Sequence, residues 1–125
     1  MAAVGTQTRT KEIGPSSTTY ILDVTTHTDG ASSGWPFAYR SGYLQEVKVV
    51  PDGSTTQPTD NFDVTLADTD GYDLLAGQGT DCDNASETQI TLDPPIFVRD
   101  QLDFTVANGG SAKGLTVYLT VGDQR

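Results

Sequence analysis

Apolar and polar residues alternate along much of the chain, and this period of two is its main secondary-structure signal. Every second residue is apolar from Leu115 to Val121, from Leu102 to Val106 and from Phe62 to Leu66. Because successive side chains of a strand point to opposite sides, the pattern predicts strands with one buried face. Further strands are predicted at 19–25, 43–50, 72–75, 89–92 and 96–98, with a weaker candidate at 8–13.

Residues that favour turns separate these strands, and no window shows a sustained helical pattern. The turn signals are Asp29-Gly30, Pro51-Asp52-Gly53-Ser54, Asp70-Gly71, Asp93-Pro94-Pro95 and Asn108-Gly109-Gly110. About seven to nine short strands with such turns predict an all-β fold, a single antiparallel β-sandwich or jelly-roll-like domain. We assign residues 18–125 to this domain. Residues 1–17 contain few apolar groups and are predicted to be a flexible N-terminal arm that a partner orders.

The net charge also differs between residues 1–17 and residues 18–125. The whole chain of 125 residues carries a net charge of −10; residues 1–17 contribute +1, from Arg9 and Lys11 against Glu12, so the remainder carries −11. An acidic field repels phosphate backbones and anionic lipid, which argues against nucleic acid and membranes as partners. The single cysteine forms no internal disulfide and the first residues lack a secretory pattern, so we expect folding in a cytoplasm.

The segment ADTDGYDLL, residues 67–75, resembles part of a calcium loop but fails the EF-hand test. Counted from Asp68, glycine falls at position four rather than six, and position twelve is Gly79, which has no coordinating side chain. Alternating residues on both sides of Asp70-Gly71 instead predict a β-hairpin. Whether the acidic patch from Asp68 to Asp83 attracts a cation weakly stays open.

No residue pattern indicates an enzyme, a cofactor or a resident metal. His27 is the only histidine and has no glycine elbow or recognisable serine partner nearby. Cys82 lies between Asp81 and Asp83, whose charges disfavour a thiolate, so we interpret it as an inert thiol. The chain also lacks a glycine-rich phosphate loop, a CxxC pair and an HExxH motif.

Aromatic residues concentrate between Gly34 and Tyr43, where the only tryptophan lies. Two interpretations stay open: the rings close one end of the core, or they form a contact surface, because Trp, Tyr and Arg are enriched at interface hot spots. With the N-terminal arm, this segment supplies the candidate partner-binding residues, which are Arg9, Lys11, Ile13, Trp35, Phe37, Tyr39 and Arg40.

Several strand and turn segments together resemble a family of small structural proteins of tailed-phage and prophage virion modules. The segments are SGYLQEV (41–47), VPDG (50–53), PTDNFDVTL (58–66), DGYDLLAG (70–77) and VANGGSAKGL (106–115). They fall within residues 41–121, about two thirds of the chain.

This resemblance implies a non-enzymatic capsid decoration, or cement, protein that binds the major capsid protein and stabilises the shell. It implies synthesis in the host bacterial cytoplasm and a place on the capsid surface of the virion. By analogy we expect a homo-oligomer, a trimer in preference to a dimer. The alternatives are a neck or head-completion protein, and a tail-associated carbohydrate- or receptor-binding sandwich that stacks Trp35, Tyr39 and Tyr43 on sugar.

Overall fold

Two antiparallel sheets form the body of the protein in a computed structural model. The structure describes residues 6–13, 17–26, 32–33, 37–38, 42–67, 71–98 and 101–122. Its strands are β1 (Thr6–Ile13), β2 (Ser17–Thr25), β3 (Ser32–Ser33), β4 (Phe37–Ala38), β5 (Gly42–Pro51), β6 (Asp63–Ala67), β7 (Thr88–Val98), β8 (Gln101–Ala107) and β9 (Gly114–Gly122). A short 3-10 turn covers Ser54–Thr56.

The larger sheet has the strand order β1-β2-β9-β5-β7, with every pairing antiparallel. The smaller sheet is built around β8, which pairs with β6 and with the two-residue strands β3 and β4. Among the described residues no helix has the length and apolar character needed to cross a bilayer.

One hydrophobic cluster joins the two sheets. Its residues come from alternate positions of both sheets, as Leu22 and Leu119 do in the larger sheet and Phe104 in the smaller one. Each of these three side chains is fully buried, which is the outcome that the period of two predicts. The predicted all-β, antiparallel, sandwich-like fold is therefore confirmed.

The N-terminal segment differs from the predicted arm. Residues Thr6–Ile13 form β1, which pairs with β2 in an unbroken register from Thr6 opposite Thr25 to Ile13 opposite Thr18. Threonine alternates with polar residues here, and Thr suits a strand even where apolar residues are few. The weaker strand candidate at 8–13 thus describes this segment better than a separate arm does, and the sheet begins before residue 18.

One turn prediction and one strand prediction also differ from the structure. Asp93-Pro94-Pro95 does not end a strand, because β7 continues through it at the border of the larger sheet, where a missing N–H is tolerated. The register between β5 and β7 shifts at this point, between Leu44 and Glu46. Residues 72–75 form no strand; among them only Asp73 bridges to β6, opposite Ala67.

Candidate functional site: the sheet borders

The predicted partner-binding residues fall on two strands and on segments outside the described residues. Arg9, Lys11 and Ile13 lie on β1, at register positions opposite three buried residues of β2. Phe37 lies on β4, opposite Leu102 of β8. Trp35, Tyr39 and Arg40 lie outside the described residues, and so does His27.

Strand β1 is the outermost strand of the larger sheet on its side of the molecule. It approaches the two-residue strand β3 but forms no ladder with it. Because an antiparallel strand directs every second residue's N–H and C=O away from its neighbour, β1 presents a row of backbone donors and acceptors on its outer side. Among the described strands, none pairs with that row.

Strand β6 lies at the border of the smaller sheet, and its outer side is covered by the segment that follows it. Val64 N–H donates to the Gly79 carbonyl oxygen at 2.8 Å, and Leu74 N–H donates to the Leu66 carbonyl oxygen at 2.7 Å. Just before the strand, Cys82 N–H donates to the Phe62 carbonyl oxygen at 2.7 Å. Residues 71–83, here called the border segment, therefore occupy backbone groups to which another strand would otherwise bond.

Asp73 organises the border segment. Its Oδ1 accepts hydrogen bonds from the backbone N–H groups of Leu66, at 3.2 Å, and Leu75, at 3.1 Å, while Oδ2 accepts one from Gly77 at 3.1 Å. A carboxylate that bonds N–H groups two and four residues later folds the chain into a turn. Asp73 thus holds the chain reversal together with its side chain, in place of the ladder that a hairpin would supply.

Gly79 allows the border segment to approach β6 closely. A Cβ atom added at this position would overlap the Val64 carbonyl oxygen and one of the Val64 methyl groups. The same segment also turns through positive φ angles at Gly71, Ala76, Gly77 and Asp81. Glycine at 79 is required by space, not by φ, because its backbone conformation is one that other residues adopt.

The other described acidic residues of the Asp68–Asp83 patch also stand in turns. Asp83 Oδ1 accepts a hydrogen bond from Ala85 N–H at 2.8 Å, and the Asp81 N–H donates to Asp63 Oδ1 at 2.9 Å. Asp68 and Asp70 lie outside the described residues. Within the described part of the chain, no group of three His, Cys, Asp or Glu residues is arranged to hold a metal ion.

Cys82 belongs to the border segment but is buried in the core, and its Sγ donates to the Gly79 carbonyl oxygen at 3.3 Å. Burial raises the pKa of this thiol above its ordinary value of 9.0, and the nearby carboxylates of Asp63 and Asp81 raise it further, against a hydrogen bond with Thr88 that lowers it. The prediction of an unreactive thiol agrees with this environment, although burial contributes more than the flanking charges.

The outer face of the larger sheet carries a mixed surface. Lys48 Nζ lies 3.2 Å from Glu87 Oε2 and 5.9 Å from the centre of the Tyr118 ring. At one end of this face Tyr43 and Phe97 pack edge to face, with ring centres 5.3 Å apart and planes inclined at 68°. Phe97 remains 49% exposed, and Tyr72 of the border segment is 74% exposed.

Sequence reasoning missed the roles of Asp73 and Gly79, and only Asp73 carries a signal that could have revealed its role. The pattern Asp-x-Leu-x-Gly, residues 73–77, places a carboxylate two and four residues before backbone N–H groups. The exposure of Phe97 could also have been predicted, because it lies between the apolar residues Ile96 and Val98 and successive side chains of a strand point to opposite sides. No such signal marks Gly79, whose role depends on a contact with another strand.

No family model matches the chain, and searches of the curated proteins and of the solved structures returned no match either.

Proposed function

We propose that this chain is a non-enzymatic structural protein of a phage virion, a decoration protein that binds the major capsid protein and stabilises the shell. The observation that carries the proposal is the placement of β1, a regular strand at the sheet border that belongs to a segment of net charge +1 in a chain of net charge −10. A bare strand of this kind binds other proteins by adding to their sheets.

The segments that carry the resemblance to phage virion proteins support the proposal. The described residues of SGYLQEV and the segment VPDG lie along β5 and at its end, and PTDNFDVTL leads into β6. The described residues of DGYDLLAG belong to the border segment, and VANGGSAKGL forms the turn from β8 to β9. The resemblance therefore rests on parts that build the framework, as expected for a protein whose function is mechanical.

The charge distribution supports a protein partner on the shell. The body carries −11, which repels packaged nucleic acid, whereas residues 1–17 carry +1 and can approach an acidic or neutral protein surface. In this proposal the protein is a homo-oligomer, preferably a trimer, and is located on the capsid surface.

The copy number of the chain in purified particles tests the proposal. We expect quantitative mass spectrometry against the major capsid protein to find on the order of hundreds of copies per particle, as symmetric decoration of a shell requires. A count of about a dozen or fewer would contradict the proposal, since closed rings at the neck or tail have few subunits.

Reconstitution supplies a second readout with a matched control. Shells that lack the chain should gain thermal stability when the purified protein is added. Lys11→Gln on β1 should weaken that binding, whereas Lys48→Gln, which removes the same charge from the outer face of the same sheet, should leave it nearly unchanged. Equal effects of the two variants would argue against β1 as the contact.

A further inference from the structure

Strand β1 is the one long described border strand without a protective feature. Border strands are usually protected by prolines, bulges, short length or a covering segment. Strand β7 contains Pro94 and Pro95 and a register shift, β6 is covered by the border segment, and β3 and β4 have two residues each. Strand β1 runs for eight residues in register with β2, and it contains neither a proline nor a bulge.

The charges of β1 determine which strand fits beside it. Arg9 and Lys11 are two positions apart and therefore belong to the same side of the strand. Side chains that lie directly opposite each other across two antiparallel strands attract if their charges differ and repel if they are alike. Two basic residues at alternate positions consequently favour a neighbour that has acidic residues at alternate positions.

The same charges oppose pairing between β1 and its own copy. A two-fold axis perpendicular to the sheet keeps the faces of the two sheets matched, so it pairs positions of equal parity. In the two registers of longest overlap the axis passes through Arg9 or through Thr10. The first register places Arg9 opposite Arg9, and the second places Arg9 opposite Lys11, so each of them juxtaposes like charges.

We propose that the outer side of β1 accepts an extended, antiparallel strand of another protein, with Asp or Glu at the positions opposite Arg9 and Lys11. Backbone hydrogen bonds to β1 supply the attachment, and the two acidic residues supply the selectivity. The biological partner rests on the proposed function, where it is a segment of the capsid protein, but the pairing chemistry rests on β1 alone.

A strand fused to the chain tests this pairing without any phage component. An eight-residue Thr-Glu repeat is joined to Met1 of the full chain by a flexible Gly/Ser linker, which gives it an effective concentration of about a millimolar. A Thr-Lys repeat on the same linker is the control. Hydrogen exchange at the amides of residues 6–13 is then measured in both fusions and in the unfused protein.

We expect the Thr-Glu fusion to slow exchange at alternate amides of β1 about tenfold, and the Thr-Lys fusion to leave the rates within about twofold of the unfused protein. The acidic body as a whole attracts the Thr-Lys repeat, so a preference for Thr-Glu reports the local charges of β1. In the double variant Arg9→Glu, Lys11→Glu the preference should reverse.

Two results would overturn the proposal. Equal protection by both fusions would mean that β1 pairs without charge selection, and protection by neither would mean that its outer side does not accept a strand. Both results concern β1 only. A failure of the proposed function would instead appear in the copy number in purified particles, so the two failures are distinguishable.

Discussion

Strands β1 and β6 both lie at the border of a sheet, but only β6 has its outer backbone groups bonded by the segment that follows it. The border segment bonds to Val64 and Leu66 of β6 through main-chain groups and through Asp73. Strand β1 is longer and more regular, and no described strand pairs with its outer side.

The difference shows that a border strand of this fold can either be covered by the segment that follows it or be left open for pairing. Covering β6 requires special residues, namely a glycine at 79, a carboxylate at 73 and four positive φ angles. With these residues the border segment prevents another strand from pairing with the outer side of β6. The absence of a comparable feature along the described part of β1 is the reason to treat that border as a contact site.

The largest effect is expected from a substitution at Gly79 that disrupts the contact between the border segment and β6. Gly79→Ala places a methyl group on the Val64 carbonyl oxygen, and the backbone cannot yield without losing the hydrogen bond between Val64 and Gly79. We expect a loss of about 3 kcal/mol in the free energy of unfolding, measured with urea.

Gly53→Ala is the matched control for this substitution. Nothing lies within 4 Å of a Cβ atom added at Gly53, and its φ of −100° suits alanine. Its stability should therefore stay within about 0.5 kcal/mol of the unmodified protein. Similar losses in both variants would mean that Gly79 is not held against β6.

Removing the Asp73 carboxylate should have the next largest effect. Asp73→Ala leaves the N–H groups of Leu66, Leu75 and Gly77 without their acceptor, and the first two of these lie in partly buried surroundings. We expect a loss of about 2 kcal/mol in the free energy of unfolding.

Asp83→Ala serves as the comparison for Asp73, because Asp83 accepts one exposed hydrogen bond, from Ala85, and should contribute about 0.5 kcal/mol. Millimolar calcium should not raise the melting temperature of the unmodified protein if these carboxylates act in turns. A calcium-dependent rise that Asp73→Ala abolishes would overturn this interpretation.

Much of the fold could be predicted from the sequence, because a strand that is buried on one side has apolar and polar residues at alternate positions. Strands β2, β6, β8 and β9 follow that pattern, and β5 follows it on either side of its register shift between Leu44 and Glu46. The pattern fails at residues 72–75, where the Asp73 carboxylate replaces a ladder, and at Pro94, whose tolerance depends on the position of β7 in the sheet. Strands β3 and β4 are too short to show any period.

The candidate site was predictable only in part. Arg9 and Lys11 can be assigned to a partner-binding segment from charge, since they are two of only seven basic residues. That their strand is the outermost one follows from the pairing of β2 with both β1 and β9. Such a pairing joins residues about a hundred positions apart, and no local pattern encodes it.

Proline substitutions at successive positions of β1 test its open side. Thr10→Pro and Lys11→Pro each remove one N–H, and in an antiparallel border strand one of two neighbours donates to the inner ladder while the other points outward. One variant should therefore lose about 1.5 kcal/mol more stability than the other.

Lys11→Gln controls for the loss of charge in the second variant. If both prolines are tolerated equally, β1 is not held in the sheet. If both are equally costly, the outer side of β1 is bonded as firmly as the inner side, and the contrast with β6 disappears.

The smallest effect concerns pH and the buried thiol of the border segment. Because the pKa of Cys82 is raised in the folded protein, the native state retains a proton that the unfolded chain releases above pH 9. The stability that this difference contributes is present below pH 9 and is lost as the pH rises through the pKa of the folded state. The loss is at most about 1.4 kcal/mol per pH unit.

Urea unfolding at pH 8 and pH 10 should therefore show a steeper loss of stability in the unmodified protein than in Cys82→Ala, which lacks the thiol. Alkylation of the thiol by iodoacetamide should likewise be slow until urea exposes it.

Because Cys82 Sγ donates to the Gly79 carbonyl oxygen, its ionisation should loosen the contact between the border segment and β6 and leave β1 unaffected. Hydrogen exchange at pH 10 should then accelerate at Val64, whose N–H also bonds Gly79, without changing at residues 6–13 beyond the base-catalysed increase common to all amides. Equal acceleration at β6 and at β1 would mean that the two borders open together, and not separately.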